Sequence, residues 1–187
     1  MTEGIETARF SDEEFERMVG RGAFDDMRVE LREGFLRRVA SRSLPHARMK
    51  FDLAKALEAA IDAAGLAFEV GVEVTVRFGE GFAPLPDIVV WRPTASVTAL
   101  PGSDARLIVE IADGTLTDDL GDKLKRYARA GVGEYWVVDV RAAKVHMMSE
   151  PSAAGYARQV TAPFGADFTP ATLPGAVVRK GLARWAP

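Results

Sequence analysis

Asp87 and Glu110 each interrupt an apolar run: Pro86-Asp-Ile-Val-Val-Trp91 and Leu107-Ile-Val-Glu-Ile-Ala112. Carboxylates are depleted from strand interiors and are almost never fully buried without a partner. Side chains alternate along a strand, so Leu107, Val109 and Ile111 face one way and Ile108, Glu110 and Ala112 the other. If the two runs are neighbouring strands, the two acids converge. Such a pair has two stable outcomes. It shares a proton, or a divalent cation neutralises both groups, the usual basis of metal-assisted phosphodiester hydrolysis. Asp87 taken alone also reads as a turn residue at a strand start, just after Pro86, where a proline costs a strand least. Glu110, in mid-run, has no such ordinary reading.

A second constellation follows in the chain. Asp119, Lys123 and Tyr127 stand at i, i+4 and i+8 and form one stripe if this segment is helical. A helix starting just after the Glu110 strand leans that stripe over the carboxylates. A lysine there can orient an attacking water and stabilise negative charge on a phosphorane-like transition state. Taken alone, Asp119 and Lys123 read as a surface ion pair worth a few tenths of a kcal/mol. Tyr127 reads as a packing residue with its hydroxyl near the site.

Composition narrows the chemistry. The chain has no cysteine and two histidines, His46 and His146. Thiol catalysis and Cys-based zinc or iron–sulfur sites are excluded, and any metal is expected to have hard oxygen ligands, which suit Mg²⁺, Mn²⁺ or Ca²⁺. Net charge is −3, which argues against a broad nucleic-acid-coating surface. The charge is uneven, however. Residues 1–27 carry eight acids against three arginines, and residues 28–50 carry seven bases against Glu30 and Glu33. A local positive field can steer an anion to an acidic molecule; ordinary surface charge is the competing reading. No apolar run approaches a membrane span and no signal-peptide core is visible, so a cytoplasmic location is expected.

The elements that must position these residues read as one α/β domain over 1–187. Its core spans about 28–149, and residues 150–187 form a C-terminal extension. Ser11-Asp-Glu-Glu14 is a capping-box pattern opening a helix over about 11–20, which Gly20 and Gly22 end. Residues 29–39 predict a hairpin with Glu33-Gly34 at the turn. Apolar residues at helical spacing predict a helix over 47–64, stopped by Gly65. Alternation over 67–77 predicts one half-buried strand. Strands follow at 86–91 and 106–112 across a Pro/Ser/Gly connection, then a helix from Thr117 or Asp118 to Ala130. Residues 134–139 predict a buried strand and 143–149 an edge strand carrying His146 on its surface. In the tail, Phe164, Phe168, Leu173 and Trp185 are the expected packing anchors. The order α-β-β-β-α-β, with a right-handed crossover over 106–139, implies a mixed sheet flanked by helices.

Pro86-Asp87, Val109-Glu110-Ile111, Asp119-x3-Lys123-x3-Tyr127 and the block through Gly131-Val132 and Glu134 to Asp139 resemble the Uma-type family of restriction-endonuclease-like proteins. That family belongs to the PD-(D/E)XK nuclease superfamily. The resemblance covers roughly residues 10–180, and 107–139 is its specific part. Val29-Glu30-Leu31 with Gly34 resembles the family's N-terminal element, and His46 matches a histidine common before the long helix. The resemblance implies a restriction-endonuclease-like αβββαβ core and an Mg²⁺- or Mn²⁺-dependent endonuclease acting on DNA. Asp87, Glu110 and the carbonyl of Ile111 would ligate the metal. The superfamily lysine normally sits two residues after the Glu; here that residue is Ala112, which points to Lys123 instead, aligned by Asp119. Glu30 would be a further metal-facing carboxylate or an exposed hairpin charge, and His46 a hydrogen-bonding residue at the helix start rather than a catalyst. Arg37, Arg38, Arg42 and Arg48 would hold the phosphate backbone, and two-strand cleavage would favour a homodimer. Two rival readings stand beside this one: a catalytically silent nucleic-acid- or protein-binding module on a nuclease fold, and a metal-free acid/base hydrolase using Asp87 and Glu110.

Overall fold

A computed structural model of the protein describes residues 7–39, 43–95 and 99–186. Helix α1 (Asp12–Gly20) is capped by Ser11, whose hydroxyl accepts from the Glu14 amide while the Glu14 carboxylate accepts from the Ser11 amide. Strands β1 (Val29–Arg32) and β2 (Phe35–Arg38) form the expected hairpin. Its two turn residues, Glu33 and Gly34, both have positive φ, 57° and 77°, the geometry of a type I′ turn, whose twist suits a tight hairpin. Helix α2 (Leu44–Ala63) is capped by Ser43 and buries Met49, Leu53, Leu57 and Ile61 along one stripe.

Six strands form the central sheet: β3 (Glu69–Val72), β6 (Ile88–Trp91), β8 (Ala105–Ala112), β9 (Glu134–Asp139), β10 (Lys144–Ser152) and β11 (Gly155–Pro163). Short strands β4 (Val76–Arg77), β5 (Phe82–Ala83) and β7 (Leu100–Pro101) lie outside it. The sheet order is β11-β10-β9-β8-β6-β3. β8 and β9 are parallel, as their helical crossover requires, and every other pair is antiparallel. One face, with Ile88, Val90, Leu107, Val109 and Ile111, packs on α2. The other, with Val89, Ile108, Ala112 and Val137, packs on Tyr127 and Ala128 of α4 (Leu124–Arg129). α3 (Leu116–Asp118) precedes α4, and the alternation expected for 107–112 is the one observed.

Three expectations need correction. Residues 67–77 are not one strand: Glu73 turns with φ 54°, Val72 is exposed, and β4 leaves the sheet to pair with β7. An apolar/polar alternation carries no mark of where the backbone bends. The segment 143–149 is not an edge. β10 lies inside the sheet and β11 beyond it, so the extension from 150 adds an outer strand. β11 was illegible because most of its side chains are exposed and its composition resembles a loop. Lastly, the helix over 117–130 contains a wider turn of π-helix at Asp119–Lys123, between α3 and α4. Phe164, Phe168 and Leu173 are buried in the α2 side of the core, with Trp185 packed against it.

Leu57 has no solvent exposure and belongs to the core between α2 and the sheet. Leu57→Ala is expected to cost about 2–5 kcal/mol, measured as a lower urea midpoint at unchanged m-value.

Candidate active site

The β6–β8 register pairs Ile88 with Val109 and Val89 with Ile108. Continued one step, it sets Asp87 across from Glu110, on the same face of the sheet. Residues directly opposite in an antiparallel pair have Cβ atoms about 4.5–5.5 Å apart. A hydrogen bond locks this arrangement: the Ile111 amide donates to Asp87 Oδ2 at 2.8 Å. Both carboxylates are 2 % exposed.

Each acid is met by side chains from a different helical segment. On the α2 side, His46 Nε2 approaches Asp87 Oδ2 to 3.2 Å, without the alignment of a hydrogen bond. Lys50, one turn further along α2, brings Nζ to 3.8 Å from Asp87 Oδ1 and pairs with Glu73. On the other side, Lys123 Nζ lies 3.1 Å from Glu110 Oε1 and 3.2 Å from Asp119 Oδ1. The Tyr127 hydroxyl donates to Glu110 Oε1 at 3.0 Å. Asp119 is fixed in turn: the Thr115 hydroxyl donates to Oδ2 at 2.5 Å, and the Tyr135 hydroxyl donates to its backbone carbonyl at 3.0 Å. Asp119, Lys123 and Tyr127 therefore do form one inward stripe. The π-turn carries the first two, and such turns recur at functional sites.

Burial raises the Glu110 pKa to about 7, with the Asp87 and Asp119 charges adding to the rise and Lys123 opposing it. For Lys123, burial disfavours the ammonium, but Glu110, Asp119 and Glu30 outweigh it and move its pKa up. Tyr127 is pushed well up, chiefly by burial and then by the Glu110 charge. It is a hydrogen-bond donor at neutral pH and no base.

Glu30 is not an exposed hairpin charge. Its side chain is 13 % exposed, pairs with Arg32 at 3.6 Å, and contributes to the shifts of Lys123 and Tyr127. Arg32 is itself buried and makes two hydrogen bonds to Asp118, each 3.2 Å. Arg37, Arg38 and Arg48 are exposed, whereas Arg42 lies outside the described residues. His146 bonds Thr161 across the β10–β11 pair, away from the carboxylates. His46 plays two parts: its backbone amide donates to the Ser43 cap, and its buried ring faces Asp87. Lys50 and Glu73 were missed by sequence reasoning. A signal for Lys50 existed, since it sits four residues after His46 on the same helix face. None existed for Glu73, which its alternation assigned to the polar side of a strand.

Among the described residues, no three His, Asp or Glu side chains form a group able to hold a metal ion. Two facing carboxylates are what the site offers. That set fits Mg²⁺ or Mn²⁺, since Mg²⁺ is commonly held by one or two carboxylates and keeps several waters.

A mixed sheet with helices on both faces, its acids facing each other on β6 and β8, defines a restriction-endonuclease-like α/β protein. The model of the Uma2 family, described as "Putative restriction endonuclease", matches residues 12–182, and the chain belongs to that family. Among solved structures, it is similar to the crystal structure of "a putative nuclease belonging to DUF820" from Anabaena variabilis. The TM-score is 0.69 at 15 % identity, over 94 % of this chain and 98 % of that one. None of the curated proteins matches. Among the described residues, no helix is long and apolar enough to cross a membrane.

The raised Glu110 pKa sets a pH dependence for the metal-free protein. The folded state binds this proton more tightly than the unfolded chain, whose carboxyl titrates near 4.5. Stability through this group is thus fully present below about pH 4.5 and is lost as pH rises toward 7. Glu110→Gln is expected to remove that part of the slope, read from denaturation midpoints between pH 4.5 and 7.5.

Proposed function

We propose that the protein is an Mg²⁺- or Mn²⁺-dependent endonuclease that hydrolyses DNA phosphodiester bonds. The observation that carries this reading is the pair of buried carboxylates, Asp87 and Glu110, facing each other across β6 and β8 with Lys123 on Glu110. When bound, the ion supplies Lewis acidity to water and to the scissile phosphate. Asp87, Glu110 and the Ile111 carbonyl are the groups that would hold it. Lys123 orients the attacking water and stabilises the negative charge that develops on the phosphoryl oxygens. Asp119 keeps the Lys123 ammonium in place, and Tyr127 keeps Glu110 in one orientation. Arg37, Arg38 and Arg48, with Arg42, supply exposed positive charge for the phosphate backbone, so binding weakens with salt. Two copies would supply the two sites that cutting both strands needs.

One observation favours the second reading, a silent binding module on the same fold. Ala112 stands where the superfamily lysine stands, so cleavage depends on Lys123 reaching the site from a helix instead. A plasmid-nicking assay decides between them. Glu110→Gln is expected to abolish Mg²⁺-dependent cleavage, and Lys123→Met to slow it about 10²–10³-fold, both with unchanged circular dichroism. EDTA is expected to stop the wild-type reaction. Cleavage that survives Glu110→Gln excludes this site, and cleavage that survives EDTA favours metal-free acid/base hydrolysis.

A further inference from the structure

Lys50 has no part in the reaction just described, yet it is 7 % exposed and lies at the site. A buried lysine is costly unless paired. Its partners are two acids on opposite sides: Glu73, with which it forms an ion pair, and Asp87, whose Oδ1 is 3.8 Å away. Glu73 is held where it is by the backbone. Its φ of 54° is rare for a residue with a side chain, and its amide donates to the Asp87 carbonyl at 3.3 Å. Arg28 pairs with the same Glu73 oxygen at 2.9 Å. The bent strand thus fixes a second carboxylate beside Asp87, and Lys50 lies between the two.

We propose that Lys50 is a built-in competitor of the divalent ion at Asp87, and that Glu73, with which it is already paired, is the acceptor that holds it off Asp87 and leaves room for the ion. The proposal rests on the metal-dependent reading above and adds a control on ion affinity. With Lys50 near Asp87 Oδ1, an arriving cation meets a like charge within a few ångströms of its ligand. At that range, one unit charge changes an equilibrium by more than a factor of about ten even at the effective dielectric of a protein surface. The ion pair with Glu73 limits that repulsion by keeping the ammonium compensated away from Asp87. The device keeps the carboxylate pair compensated in the metal-free protein and makes occupancy depend on metal concentration.

The test is titration of the full chain with Mn²⁺ by calorimetry, with thermal melts confirming that each variant is folded. Lys50→Met is expected to bind Mn²⁺ at least tenfold more tightly than wild type. Glu73→Gln, which releases Lys50 toward Asp87, is expected to bind at least several-fold more weakly. Arg28→Met removes the same charge from Glu73, with no ion pair to Asp87 lost, and is expected to stay within about twofold of wild type. Equal tightening in Lys50→Met and Arg28→Met overturns the proposal, because a general field would then explain both. Unchanged or weaker binding in Lys50→Met also overturns it, and Glu73→Gln decides the matter alone should Lys50→Met not fold. If Mn²⁺ binding is insensitive to Glu110→Gln, the ion is not at this site, and the functional reading fails together with this one.

Discussion

Two carboxylates buried face to face are the constraint around which the site is organised. Asp87 and Glu110 are buried in the sheet, and the Asp87 charge adds to what burial costs Glu110 on ionisation. No isolated strand pair could tolerate this. The compensation comes from elements distant in sequence: Lys50 on α2, and Lys123 and Tyr127 on the helical segment after β8. The sheet holds the acids at fixed separation, and the helices on its two faces deliver positive charge and hydrogen-bond donors to its end.

Delivery depends on backbone detail at two points. The π-turn at Asp119–Lys123 carries a lysine and its fixing aspartate inward, and both are nearly or fully buried. Thr115, at the start of the same helical segment, and the Tyr135 hydroxyl, from β9 of the sheet, hold that turn. At the other point, the bend at Glu73 breaks a strand and sets a carboxylate beside Lys50 and Arg28. Regular structure positions the two acids, and irregular structure positions what surrounds them. Local departures of this kind cluster at functional sites because packing elsewhere over-determines the backbone there.

The positive charge of residues 28–50 divides by the same logic. Arg28, Arg32 and Lys50 are consumed in internal ion pairs, with Glu73, Asp118 and Asp87 among their partners. Arg37, Arg38 and Arg48 remain at the surface. A run of bases in a sequence therefore overstates the field available to a polyanion, since the fold spends part of it on its own acids.

Much of this was legible from residue order alone. A capping box located α1, the Glu33-Gly34 turn the β1–β2 hairpin, helical spacing α2, and short apolar runs β6, β8 and β9, because caps, turns and burial each leave a local mark on residue type. Periodicity also put Glu110 on the same face as Ala112, and Asp119, Lys123 and Tyr127 on one stripe, since these relations are set within single elements. Register was beyond it. That Asp87 stands across from Glu110, that β11 lies outside β10, and that residues 67–77 bend at Glu73 all depend on which segments hydrogen-bond to which. The chain placed Lys50 on the His46 face of α2 but carried no sign that Glu73 would meet it, and it left Glu30 open between an inward and an exposed position. Local pattern determined the elements and the faces of their side chains. Only the tertiary structure decided which charges meet, because an ion pair between residues 37 apart is a property of packing and leaves no period in the sequence.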